Sequence, residues 1–379
     1  MNKNIIFALA LVIVLGVIGY IQITKPKLYS VGSGNAESIA LAPSSDKVLD
    51  TSTTASPALA KTRMMNIEEK AKKYSPAVEI IPGGQFINAE PFTLKSLIGK
   101  KVILVDFWTY TCINCQRTTP YLKEWYRKYK DQGLIIVGVH TPEFEFEKEY
   151  SNVKKAVEDE GILYPVVQDN NYATWSAYGN RYWPHKYLID IDGFIVHDKI
   201  GEGGYDEFEK AIQKALAERN LVLGLKNSVD INIANPKDVI IMDSSKVQSP
   251  ETYFGSARNE YLGNGKKSTS GNQVLSFPDN LSVNKLYLDG TWDFQNEFAE
   301  SKSATAKIKF LYNAKNVYLV ASSDEGVTVK IFQDGALIKT MTIKDHRLYN
   351  IVEGTDYGKH TLEIEIDRAG LKAFAFTFG

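Results

Sequence analysis

This 379-residue chain has only two cysteines, Cys112 and Cys115, placed three apart between the apolar run Val102–Phe107 and a helical pattern. On the first turn of a helix, positions i and i+3 share a face, so two sulfurs there are close enough to bond. The unpaired amides and partial positive charge of a helix N-terminus favour an ionised sulfur at Cys112. Cys115, one turn deeper, is expected to be the buried resolving partner. The pattern fits thiol–disulfide exchange: Cys112 attacks a disulfide and Cys115 releases the product from the mixed disulfide.

Two other uses of the pair carry less weight. A structural disulfide rarely closes so small a ring. A zinc or copper site needs further ligands, yet there is no second cysteine pair, and His140, His185, His197, His346 and His360 show no ligand-like spacing. No metal and no cofactor beyond the Cys112–Cys115 redox pair is expected. With 44 basic and 45 acidic residues the net charge is −1, which gives no argument for a nucleic-acid partner.

Residues Ile5 to Ile23 form an uncharged apolar run of 19, long enough to cross a bilayer as a helix. Lys3 ahead of it fits a cytoplasmic start, with everything after Thr24 outside the cytoplasm. A cleaved signal peptide is the rival reading, but no small-x-small site follows closely. An uncleaved single-pass anchor is therefore expected over 1–24. Residues 25–76, rich in Ser, Ala, Thr and Pro to about Ala60, read as a flexible tether, with a short polar spacer helix around Met64–Tyr74.

From 77 to 220 the pattern alternates. Strand-like runs are Val102–Phe107, Leu134–His140, Tyr164–Val167, Lys186–Asp190 and Phe194–Lys199; helical ones are Cys115–Lys130, Phe146–Glu160, Tyr172–Tyr178 and Tyr205–Arg219. Asp190-Ile191-Asp192-Gly193 reads as a hairpin turn. This is an α/β domain with an antiparallel edge. Residues 221–238 read as a linker. From 239 to 379 short alternating runs separated by Asp-Gly, Glu-Gly and Tyr-Gly turns predict an all-β sandwich. The acidic run Glu143, Glu145, Glu147 and Glu149 is expected to be a solvated face.

Val105-Asp106-Phe107-Trp108 followed by Cys-x-x-Cys, with Pro120 five residues on, resembles the thioredoxin superfamily. Trp183-Pro184 resembles its cis-proline loop. The 69 positions from Cys115 to Pro184 leave room for an inserted element, as in the TlpA/ResA-like branch. Phe107–Thr118 with Arg181-Tyr182-Trp183-Pro184 is similar to the soluble portion of DipZ-type proteins, as are Tyr253-Phe254-Gly255, Gly290-Thr291-Trp292 and the ending Ala375–Gly379. The likeness covers about residues 80–379 and implies a thioredoxin-like domain followed by a jelly-roll-like, carbohydrate-binding-module-like sandwich. The departure is N-terminal, where one apolar run replaces a multi-span membrane domain, so the electron donor would be a membrane protein acting in trans.

The resemblance implies roles. Cys112 and Cys115 are the redox pair. Asp106, desolvated in its apolar strand, would accept the Cys115 proton. Pro184 would border the bound chain, and Trp108, Ile113, Asn114, Trp183 and His185 would complete a groove for protein thiols and disulfides. Trp108 can equally be core, and His185 a structural histidine. His140-Thr141-Pro142-Glu143 either borders the groove or simply starts a loop. The uncharged Ile113-Asn114 between the thiols favours a reductase over a strong oxidant. Two alternatives remain. A thiol peroxidase is weakened by Val105, where that pattern expects proline before Thr109-x-x-Cys112. A tethered binding protein would stack a ligand on Trp292, Tyr253 or Tyr349.

Overall fold

The computed structural model describes residues 57–237 and 239–379. The apolar run at Ile5–Ile23 lies outside them; among the described residues no helix is long and apolar enough to cross a membrane. Of the tether expected over 25–76, residues 25–56 lie outside the described residues; the spacer helix expected around Met64–Tyr74 is present and longer, Pro57–Lys73, α1. Lys70 anchors it: Nζ reaches the carboxylates of Asp190, Asp192 and Glu218 at 2.6, 2.7 and 2.6 Å. Burial opposes the ammonium charge, but these hydrogen bonds hold its pKa above the ordinary lysine value.

A six-stranded sheet forms the first layer. Its strands are β1 (Phe86–Ile87), β2 (Val102–Trp108), β3 (Leu134–His140), β4 (Val166–Gln168), β5 (His185–Ile189) and β6 (Ile195–Ile200), in the order β1-β4-β3-β2-β5-β6. β2, β3 and β4 run parallel; β5 and β6 complete an antiparallel edge. Every residue of β2 is buried because helices cover both faces of the strand. Ile103, Val105 and Phe107 pack on one side. Val102, Leu104 and Trp108 pack on the other, against Cys115, Leu122 and Trp125 of α2 (Ile113–Tyr129) and Phe208 and Ile212 of α5 (Tyr205–Val222). Asp106 falls on this second side by alternation.

The helix expected over Phe146–Glu160 divides into a 3-10 turn, Glu145–Lys148, and α3, Tyr150–Asp159. A short helix, α4 (Ala173–Ala177), precedes the Trp183-Pro184 loop. Residues after Val222 are strapped back rather than loose. Tyr129 donates to the Asp230 carbonyl at 3.2 Å, and the Ala234 amide donates to Glu209 at 2.7 Å.

The second layer is one nine-stranded, hydrogen-bonded sheet. Its strands are β8 (Gly271–Leu275), β9 (Leu286–Phe294), β10 (Ala299–Ser301), β11 (Lys307–Ser322), β12 (Val327–Gln333), β13 (Ala336–Ile343), β14 (Arg347–Ile366) and β15 (Lys372–Phe378), with β7 (Thr252–Tyr253) added along β15. The sandwich expected here is thus continuous. β11 pairs with β9 near its start and with β15 near its end, so the sheet wraps around a single core. Runs read as separate strands are joined by bulges. Along β11 the buried positions 308, 310, 312 and 314 give way to 317, 319 and 321 across a register shift at Ala314/Asn316. Trp292 and Tyr349 belong to this core at 0% and 2% exposure, which removes both as an exposed stacking platform.

The outer face of β11 and β15 is buried too. Val320 and Phe374 pack on Phe144 and Phe146 from the insertion of the first layer.

Candidate active site

Cys112 is the N-cap of α2, in extended conformation, and its Sγ accepts the Cys115 amide at 3.4 Å. Both sulfurs are free thiols. Cys112 is half-buried; Cys115 is 2% exposed. Burial, then the neighbouring Cys112 sulfur, pushes the Cys115 thiol well above its ordinary pKa. Cys112 Sγ also lies 3.9 Å from the Trp183 carbonyl oxygen, and the Trp183–Pro184 peptide is cis. Cys112, Ile113, Asn114 and Trp183 line a cleft of about 480 Å³ whose far side includes Val247, Tyr253 and Phe378 of the C-terminal layer.

Beneath Cys115, Asp106 is 2% exposed and its Oδ1 has no hydrogen-bond partner among the described residues. Burial raises its pKa to about 7, against the pull of Lys186. Lys186 pairs with Asp106 across β2 and β5, is fully buried, and donates to the Gly201 carbonyl at 3.0 Å. Burial lowers its own pKa while Asp106 and Cys115 oppose the shift. The sequence reading missed Lys186; a lone lysine inside the apolar run of β5 was the available signal.

Three residues read as possible groove members sit inside the fold. His185 is buried away from the cleft, bonded to Asn180 at 2.7 Å, Tyr187 at 2.9 Å and Asp198 at 3.1 Å; its position on β5 turns it into the sheet edge. Trp108 lies in the core with Cys115 rather than lining the groove; a Cβ at Gly138 would come within 2.9 Å of its Nε1, so only glycine leaves room. His140 is fully buried beside Thr109 and Tyr110, and desolvation lowers its pKa to about 3, so the imidazole is neutral.

In the acidic run Glu145 and Glu149 are exposed, as a solvated face would be, but Glu143 is half-buried and Glu147 is not solvated at all. Glu147 is fully buried, because Phe144 and Phe146 dock on the C-terminal layer and turn its carboxylate inward. It accepts from Thr111 Oγ1 at 2.5 Å and from the amides of Glu143 and Phe144 at 2.5 and 3.0 Å. Burial lifts its pKa to about 7. Glu143 bridges to the other layer, accepting from Tyr253 at 2.9 Å and Arg258 at 2.8 Å. Arg117, 2% exposed, holds Asn114 at 2.6 Å and Glu202 at 2.8 Å along the cleft.

Comparison with known proteins agrees with this architecture. Residues 79–198 match the AhpC/TSA family and residues 249–379 match a family described as thioredoxin like C-terminal domain. Protein DipZ of Mycobacterium tuberculosis is 39% identical over 292 residues, covering 76% of this chain and 40% of DipZ. The chain thus spans about 40% of the length of that relative. The thiol-disulfide oxidoreductase YkuV of Bacillus subtilis is 32% identical over 147 residues, 39% of this chain and 98% of YkuV. The thiol-disulfide oxidoreductase ResA of Bacillus thuringiensis is 33% identical over 128 residues, 34% of this chain and 70% of ResA. With most of YkuV and ResA covered, the chain belongs to the thioredoxin superfamily, alongside these thiol–disulfide oxidoreductases.

Proposed function

We propose that this protein is a thiol–disulfide oxidoreductase acting on protein cysteines, held at a membrane by its N-terminal apolar run with both layers outside the cytoplasm. One observation carries the chemistry. A half-exposed Cys112 caps a helix on the floor of a cleft, beside Trp183, with Cys115 buried one turn deeper.

In the reducing direction, the Cys112 sulfur attacks one sulfur of a client disulfide. A new S–S bond forms, and the other client sulfur leaves as a thiolate. Cys115 then gives its proton to the Asp106 carboxylate and attacks the Cys112 sulfur. The mixed disulfide breaks, the second client sulfur departs, and a Cys112–Cys115 disulfide remains. Two electrons pass from the pair to the client. A membrane donor acting in trans restores the two thiols. Lys186 supports the ionised form of Asp106, so the acceptor is partly available at neutral pH. The C-terminal layer supplies the far wall of the cleft, which favours a client cysteine presented on an extended segment.

The test is Cys115→Ser, which retains the attacking sulfur and removes the resolving one. Mixed disulfides with clients should accumulate and be recoverable under non-reducing conditions, and Cys112→Ser should give none. Equal trapping by both variants would overturn the reading. Reduction by the wild type of a disulfide peptide, with no turnover of hydrogen peroxide, separates it from a peroxidase.

A further inference from the structure

The mechanism above leaves one fully buried carboxylate near the thiols without a role. Glu147 comes from the insertion, yet its Oε1 accepts from the hydroxyl of Thr111, the residue directly before Cys112. Thr111 is itself 2% exposed. Its turn is also tied by the Cys112 amide to the Thr109 carbonyl at 3.3 Å, by the Gln116 side-chain amide to the Tyr110 carbonyl at 2.8 Å, and by Thr109 Oγ1 with His140 Nε2 at 3.4 Å. The hydroxyl of Thr111 reaches outside the first layer's strand and helix to Glu147 at 2.5 Å; Thr109 also bonds that carboxylate, and the Tyr110 ring lies 6.2 Å from that of Phe146. The other carboxylate oxygen gathers the amides of Glu143 and Phe144. Those two residues grip the C-terminal layer, through Arg258 and Tyr253 on one hand and Phe374 on the other.

We propose that Glu147 is a positioning residue for the nucleophile: through Thr111 it fixes the turn that presents Cys112 to the Cys115 amide, and it ties that turn to the C-terminal layer. This rests on the redox reading above and deepens it, because the reactivity of the pair becomes a property of both layers. A buried carboxylate with these donors is a stiff fixture, since each charge-assisted hydrogen bond is short and directional.

The experiment uses the full chain and compares Glu147→Ala, Glu147→Gln and Thr111→Val with wild type. Iodoacetamide alkylation of Cys112 and the equilibrium of the pair with glutathione are measured, each beside a thermal melt. Loss of the fixture weakens the hydrogen bond that the Cys112 sulfur accepts in the reduced state. Glu147→Ala and Thr111→Val should therefore slow alkylation at least threefold and move the glutathione equilibrium about tenfold toward the disulfide, about 30 mV. Glutamine can turn its oxygen to the two amides and its NH2 to Thr111, so Glu147→Gln should stay within about twofold of wild type in both measurements, a bound set by keeping all three hydrogen bonds. A filler role alone would lower the melting temperature and leave both readouts in place, which overturns the proposal, as does a Glu147→Gln variant that matches Glu147→Ala. If Glu147→Ala does not fold, Thr111→Val decides, because it removes only the donor. A wild-type pair that failed to exchange with glutathione would sink the redox reading itself, and this inference with it.

Discussion

Asp106 and Lys186 are direct partners across antiparallel strands β2 and β5, and both side chains are buried beneath Cys115. In the folded protein Asp106 keeps its proton to about pH 7, whereas in an unfolded chain an aspartate loses it near pH 4. Between those values the folded state holds more protons than the unfolded one, so stability falls as pH rises through the window and is level above it. Asp106→Asn should therefore raise the unfolding free energy at pH 8 by about 1–4 kcal/mol and change little at pH 4. Urea denaturation at the two pH values checks this. The same variant should lengthen the lifetime of mixed disulfides on Cys112 by about a hundredfold, followed by quenching with acid.

Lys186→Met removes the charge that draws the Asp106 pKa down. Asp106 should then hold its proton to a higher pH. The alkaline shift in the pH profile of client release should be about one unit, as for loss of one nearby opposite charge. A profile that stays in place would show that the lysine serves only its bond to the Gly201 carbonyl.

Lys70→Met leaves Asp190 buried without its cation, while Asp192 keeps only Arg63 at 3.2 Å. Breaking a buried pair from one side costs about 3 kcal/mol or more. A matching loss in denaturant midpoint is expected, partly restored by Asp190→Asn in the same chain. Full stability in Lys70→Met would mean that α1 is dispensable for the first layer.

Phe374→Ala empties the contact with Phe144 and Phe146. Loss of a buried phenylalanine costs about 3–5 kcal/mol. The two layers should then unfold in separate calorimetric transitions where the wild type shows one, and Glu143 should lose its hold on Arg258 and Tyr253.

Local features of the site were readable in the chain. The Cys-x-x-Cys pair, Asp106 in its apolar strand and Trp183-Pro184 are each contained within a few residues. What escaped depends on distant pairing. Lys186 meets Asp106 only through the register of β2 on β5, set 80 positions away. Glu147 sits in an alternating Glu-Phe run that mimics a strand with its acids in water. The aromatics of that run are claimed by another layer, and the chain turns through a 3-10 helix, so one acid is carried inward. His185 looked like a groove residue by its place after Pro184, yet strand alternation sends it to Asn180 and Asp198. In the C-terminal layer, bulges shift the apolar phase midway along β11, which makes one long strand look like two short ones.

Because Val320 and Phe374 on one side and Phe144 and Phe146 on the other cover each other, neither half is finished alone. A protease nick followed by separation near residue 240 would leave two fragments with matching sticky faces, prone to clump or to recapture one another. Any swap of the C-terminal part between relatives has to bring a surface that fits these four side chains, so the two halves are constrained to change together.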